Sequence, residues 1–204
     1  MTITPVDWPA VLKPQSFGYS LNNADISGGL AIGGGEQIVA SAGPRWEADM
    51  SLGIWNNDQV RALRALSVLL MGRAVPVKLP NFDGQRLVWA EPGESEILAT
   101  LAANAALHAT TVVVSVSQVL PGQQFGIADR LYQIGTVTAG AIVSGVRQHT
   151  LTFWPPLRAA ATAGAVVQFT RPYCLMRCLN LNAEFRQLEL LRFATLNLEF
   201  AEYG

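Results

Sequence analysis

Residues 45–52, RWEADMSL, alternate cleanly between apolar and polar, and residues 194–201, ATLNLEFA, do the same. In the first segment Trp46, Ala48, Met50 and Leu52 point one way, while Arg45, Glu47, Asp49 and Ser51 point the other. In the second, Ala194, Leu196, Leu198 and Phe200 oppose Thr195, Asn197, Glu199 and Ala201. A period of two is the period of a strand with one face on a core and one in water. A helix would scatter the same residues around its circumference. The chain is therefore expected to be mainly β. Tyr173–Leu181 is the expected partner of the closing strand.

One segment breaks the pattern. In residues 57–72, Val60, Leu63, Leu66, Ser67, Leu70 and Met71 recur at spacings of three and four, which predicts an amphipathic helix. Asn57 is the expected N-cap, Asp58 favours the positive helix end, and Gly72 is a natural stop. The opposite face carries Arg61, Arg64 and Ala65. Residues 74–79, AVPVKL, read as a strand at an edge or bulge, because Pro76 cannot donate to a ladder.

A shift to Pro, Asp, Gly, Glu and Ser over residues 80–96 marks a boundary near 82–88. Beyond it, Val112, Val114 and Val116 alternate with Val113, Ser115 and Ser117, and Pro121-Gly122 signals a turn. Short strands are expected at 124–128, 131–138, 141–146, 149–153 and 165–170, the spacing of a small barrel or sandwich. Residues 98–108, LATLAANAALH, fit either a strand or an Ala-rich helix. If the closing strands return to the first sheet, the middle unit is an insertion. The expected division is 1–85, 86–172 and 173–204.

Composition narrows the function. The chain has 204 residues, half of them hydrophobic and 14% charged, with 14 basic and 15 acidic residues and a net charge of −1. That balance argues against disorder and fits a surface partly covered by assembly. Lys13 and Lys78 are the two lysines, and no basic run stands out, so sequence-reading of nucleic acid is not expected. The opening MTITPVDWPAVLKPQ lacks the basic start and apolar stretch of a secretory leader. The longest apolar run falls far short of the ~18–20 residues that span a bilayer. A soluble protein made in a cytoplasm is the expectation.

Candidate chemical groups are sparse. Gly28, Gly29, Gly33, Gly34 and Gly35 precede Glu36–Val39 without the Lys-Ser or Lys-Thr of a phosphate loop or a dinucleotide fingerprint, so a hairpin or close backbone approach is expected. Residues 1–30, with Trp8, Phe17 and Tyr19, read as an irregular arm with one or two short strands. Cys174 and Cys178 have no neighbouring Cys or His to complete a zinc site of about four ligands, and read as buried thiols. His108 and His149 sit in no recognisable catalytic motif. Glu91, Glu94 and Glu96 read as a solvated turn rather than a glycosidase pair. Trp8, Trp46, Trp55, Trp89 and Trp154 are candidates for core, interface anchors or a sugar-stacking surface, with Trp46 read as core. No catalytic, cofactor-binding or metal-binding residue is assigned.

The order of elements carries a family resemblance. PRWEADMSL, then NDQVRALRALSVLLMGRA, then VPVKLP resembles the opening domain of minor tail-tip proteins of long-tailed, siphovirus-like phages. PGQQFGIADRLYQIGTV followed by LTFWPPLRAAATAGAVVQFTRP resembles their small inserted β-module, and FATLNLEFAEY their closing strand. The stretch 88–111 departs from the pattern. The resemblance implies a distal tail protein: a β-sandwich ring domain with one helix, built from the first and last segments, plus an inserted β-barrel that projects outward. Such proteins form a ring, usually six-fold, that joins the tail tube to the hub and leaves a channel for DNA. The implied partners are copies of the same chain, the tube protein and the hub protein, with the tape measure protein as a further candidate. DNA would be passing cargo only, no membrane or cofactor is involved, and the location is the virion. Gly28–Gly35 is the candidate segment ordered by a neighbour. The rival readings are a tail-tip carbohydrate-binding module, another tail component (tube, terminator or tail-completion protein), and a small hydrolase that joins His108 or His149 to a carboxylate.

Overall fold

The computed structural model describes residues 4–23, 26–30, 33–34, 36–39, 43–82, 98–181 and 194–204. The protein is mainly β, with a six-stranded sheet, a closed six-stranded barrel and a separate two-stranded hairpin. The strands are β1 (Val6–Asp7), β2 (Pro14–Asn22), β3 (Ile26–Leu30), β4 (Glu36–Val39), β5 (Arg45–Ile54) and β6 (Val77–Pro80), with helix α1 (Asn57–Leu69) between the last two. Then come β7 (Leu98–Leu101), β8 (Thr111–Ser115), β9 (Gln124–Ile127), β10 (Arg130–Val143), β11 (Val146–Trp154) and β12 (Val166–Gln168). β13 (Tyr173–Cys178) and β14 (Ala194–Glu202) close the chain. The sheet runs β1-β6-β13-β14-β5-β2, and the barrel runs β10-β11-β8-β7-β12-β9. The barrel strands thus come from one stretch of chain, between strands that belong to the sheet.

The two alternating segments lie side by side at the sheet's centre. β14 pairs antiparallel with β5 from Ala194↔Ile54 to Ala201↔Glu47. Opposed residues share a face, so Leu196 meets Leu52 and Leu198 meets Met50 on the buried side. Leu63 and Leu66 of α1 and its C-cap Leu70 join that core, together with Trp8, Leu12, Cys174, Met176 and Cys178. The barrel has its own core, in which Phe125 meets Tyr132, Phe153 and Phe169 at ring-centroid distances of 5.5, 5.4 and 5.7 Å.

Several expectations change in detail. The N-cap is Asn56, not Asn57: its Oδ1 accepts from the Gln59 N–H at 2.8 Å, and Gln59 Oε1 accepts from the Trp55 N–H at 2.7 Å. Asn56 has the extended backbone that lets its side chain reach back over the first turn. The helix ends at Leu69, and Met71 and Gly72 both take positive φ. That reversal turns Met71 outward, 73% exposed, rather than into the apolar stripe. β6 is not an edge, since it lies between β1 and β13. Pro76 precedes it, costs no ladder donor, and its carbonyl accepts from the Val6 N–H. The two strands expected at 131–138 and 141–146 are one, β10, which reverses into β11 through a two-residue turn at Ser144 and Gly145 with φ of 52° and 82°. Two positive φ values match the right-handed twist of a tight hairpin. Residues 98–108 begin as strand β7 and contain no helix. β2 is nine residues long, more than the short strands expected for the opening segment. Gly28 and Gly29 fall in β3 of the β3–β4 hairpin. The boundary expected near 82–88 lies, after Phe82, outside the described residues.

The sheet core should be sensitive to truncation on one face only. Leu196→Ala, at a fully buried position, is expected to cost about 2–5 kcal/mol. Thr195→Ala, on the exposed face, should stay within about 0.5 kcal/mol. Equilibrium urea unfolding of both variants checks the contrast.

Candidate functional site

Among the described residues, Glu202 is the one carboxylate that is buried, at 5% exposure. The alternation of β14 puts it there: Glu202 continues the face of Leu196, Leu198 and Phe200. It emerges at the seam between sheet and barrel. Its Oε1 accepts from Arg130 Nη1 at 2.8 Å, and its Oε2 accepts from Arg158 Nη2 at 3.2 Å and from the Trp46 N–H at 3.1 Å. Arg130 begins β10, and Arg158 follows β11, so both cations come from the barrel.

Each arginine has a second partner on the sheet side. Arg130 donates to the Tyr203 carbonyl at 2.5 Å, and Arg158 donates to the Pro44 carbonyl. Trp46, buried in the sheet, donates its Nε1–H to the Leu131 carbonyl of β10 at 2.8 Å. Leu131 itself packs in the sheet core rather than the barrel core. A carboxylate is strongly disfavoured in a dry interior unless its lone pairs are filled. Here three donors fill them, two charged. Around this centre, Asn81 Nδ2 donates to Gln124 Oε1 at 2.6 Å, Trp154 Nε1 donates to Asn23 Oδ1 at 3.2 Å, and the Tyr173 hydroxyl donates to Asp129.

Of the residues singled out from the sequence, Trp46 takes part in this seam and Trp154 borders it, while the cysteines and histidines supply none of its hydrogen bonds given above. Cys174 and Cys178 are buried and free on β13. Burial pushes the Cys178 thiol up to about 11 and raises Cys174 as well, so neither supplies a thiolate near neutral pH. His108 sits exposed in a turn with φ of 63°. His149 lies on β11 between Val114 and Ala139, with both ring nitrogens buried and without a hydrogen-bond partner among the described residues. Among the described residues, no ion pair joins either histidine to a carboxylate. Trp8 and Trp46 belong to the sheet core. Trp55 and Trp154 are 57% and 37% exposed, one at the start of α1 and one at the end of β11. Trp89, Glu91, Glu94 and Glu96 lie outside the described residues. Among the described residues, no group of three or more His, Cys, Asp or Glu is placed to hold a metal. No described helix is long and apolar enough to cross a membrane.

Among the described residues, two surface clefts bear on the chemistry. One, of about 440 Å³, lies beside the β9–β10 turn and is lined by Ile127, Asp129, Thr162, Val166, Gln168 and Tyr173. The Tyr173 phenol is held above its ordinary value by burial and by its bond to Asp129, so it acts there as a donor rather than a base. The other, of about 680 Å³, brings Trp8, Phe17 and Phe82 together with Lys13 and Arg171. Neither described lining pairs a nucleophile with a base.

Glu202 was missed from the sequence, although its parity on an alternating strand was a usable signal. A carboxylate on the next buried position demands cationic partners, but not which ones. Two measurements follow. Glu202→Ala strands two arginines and an amide, and is expected to cost about 3 kcal/mol, the lower end for a broken buried pair because the arginines are about a quarter exposed. Urea unfolding reads the loss, and proteolysis should cut first at the seam. His149 titrates below its ordinary value, first because of burial and then because of Arg147. The unfolded chain then binds the proton more readily, so stability is full above roughly pH 6.5 and falls as pH drops through the folded value. His149→Leu should flatten that acid-side loss, measured as the difference in unfolding free energy between neutral and mildly acidic buffer.

No family model matches the chain, and no curated protein matches it.

Proposed function

We propose that this chain is a non-catalytic structural subunit of a phage tail tip, a distal tail protein of the siphovirus-like kind. It forms a ring, six-fold in the simplest case, between the tail tube and the hub. The sheet module, from the first and last segments, builds the ring, and the barrel lies to the outside. Copies of the same chain, the tube protein and the hub protein are the partners, the tape measure protein is a further one, and DNA passes through the channel without being read.

The observation that carries this reading is the seam around Glu202. A ring subunit that bears a side module must hold it at a set angle, or the outer surface of the assembly has no defined shape. Three donors on one buried carboxylate, with Leu131 seated in the neighbouring core, do that work. Among the described strands β2 is the last of its sheet and carries no charged residue from Pro14 to Asn22, which supports the same reading, because charge at a strand edge discourages pairing with another chain. A head-to-tail contact that closes by rotation makes a ring.

Electron microscopy of intact tails, with the chain located by a labelled antibody, tests the proposal. Six copies in a ring between tube and hub, with residues 98–168 on the outside, is the expected result. Absence of the chain from the tail, or a ring with the barrel turned into the channel, would overturn it.

A further inference from the structure

By parity Gly53 belongs to the outward face of β5, with Arg45, Glu47, Asp49 and Ser51, yet it is buried. Two side chains cover it. A Cβ at Gly53 would collide with the Gln15 amide and would stand 2.5 Å from Trp55 Nε1 and 2.8 Å from Trp55 Cε2. A glycine inside a strand weakens it, and often marks a place where another group must approach closely. Here that group is an indole. Trp55 is itself 57% exposed, so one edge of its ring system is seated on the sheet while much of the rest meets water.

Two further features hold this arrangement. Gln15 falls in the register shift of β2 between Pro14 and Ser16, and the extra residue of a bulge has its side chain re-aimed. The Trp55 N–H donates to Gln59 Oε1 at 2.7 Å, which fixes the backbone that carries the indole. The nearby outward positions are polar but uncharged. Thr195 pairs across from Gly53. Ser51, the next outward residue along β5, lies between Ser16 of β2 and Asn197 of β14. Asp49 and Glu199 form the row after that.

An exposed tryptophan suits either an interface anchor or a stacking platform, and its surroundings separate the two. An anchor between chains sits in a well-packed, dry pocket. Around Trp55 the outward positions of Gln15, Ser16, Ser51, Thr195 and Asn197 bring amides and hydroxyls and no large apolar side chain. We infer that Trp55 and Gln15 form a binding site for a neutral sugar residue of a glycan. The C–H bonds on one face of a pyranose carry partial positive charge and lie against the electron-rich face of the indole. The sugar hydroxyls meet the Gln15 amide and the Thr195 hydroxyl, the few placed polar groups that set a ligand's orientation. Because the indole is already seated over Gly53, little ordering is left for the ligand to impose. The site lies on the sheet module and does not rest on the ring reading.

The purified full-length chain, applied to an array of neutral oligosaccharides of glucose, galactose, mannose and N-acetylglucosamine, should bind at least one of them. Isothermal titration calorimetry with that sugar then ranks the variants. Trp55→Ala is expected to weaken binding about tenfold or more, and Gln15→Ala about threefold, with the melting temperature of Gln15→Ala unchanged. Gly53→Ala keeps the indole but displaces it, and should weaken binding as Trp55→Ala does. If Trp55→Ala fails to fold, Trp55→Phe takes its place, with a smaller ring and an intermediate loss. The inference is overturned if the wild type binds none of the sugars, if the Trp55 variant binds as the wild type does, or if Gln15→Ala has no effect. A wild type that binds no sugar, with a Trp55→Ala chain that no longer assembles, makes Trp55 an anchor between chains and also overturns it. A ring that persists in Trp55→Ala while sugar binding is lost supports the site and leaves the ring reading untouched, so the two proposals fail separately.

Discussion

A buried carboxylate has to be answered by donors, and Glu202 is answered from three directions. Trp46 offers a backbone N–H from the centre of the sheet, and Arg130 and Arg158 reach in from the barrel. The same arginines bond the Tyr203 and Pro44 carbonyls, so polar backbone at the seam is also satisfied. Leu131 and the Trp46 indole complete the joint with one apolar contact and one hydrogen bond. The relation between the two modules depends on this cluster, because the cores on either side are otherwise separate. Removing the carboxylate would leave two guanidinium groups, each on one backbone carbonyl, without their shared anion.

Among the described residues, the other buried titratable groups are held toward their neutral forms. Both thiols are buried and held protonated, and the Tyr132 phenol is pushed up to about 12 by burial in the barrel. Neither ring nitrogen of His149 has a hydrogen-bond partner among the described residues. A low charged fraction is what such a chain needs if much of its surface is covered by neighbours.

Local pattern carried the sheet. Trp46 to Leu52 and Ala194 to Phe200 are half-buried strands by their period alone, and they pair with each other as adjacent central strands. The apolar stripe of α1 and its C-cap was legible for the same reason, since Leu63, Leu66 and Leu70 recur at helical spacing and all three are buried. Pattern was weaker at ends and edges. Asn56 and Asn57 are equal as N-caps by residue type, and only the backbone angle of Asn56 decides between them. The length of β10 was hidden by Thr138-Ala-Gly-Ala141, where small residues resemble a break. Met71 fits the helical stripe by count but leaves it because the chain reverses one residue after the cap.

By itself the sequence determined the mainly β class, the amphipathic stripe of α1, the core faces of β5 and β14 and the burial of the two cysteines. These depend on side chains a few residues apart, where spacing and polarity decide which face leaves water. Only the tertiary structure decided that β10 and β11 form one long hairpin, that six strands close into a barrel, and that Glu202 meets Arg130 and Arg158. Those contacts join residues 72 and 44 positions apart. Their partners are selected by which buried charges arrive at one seam once both cores have formed, and spacing along the chain does not record that meeting.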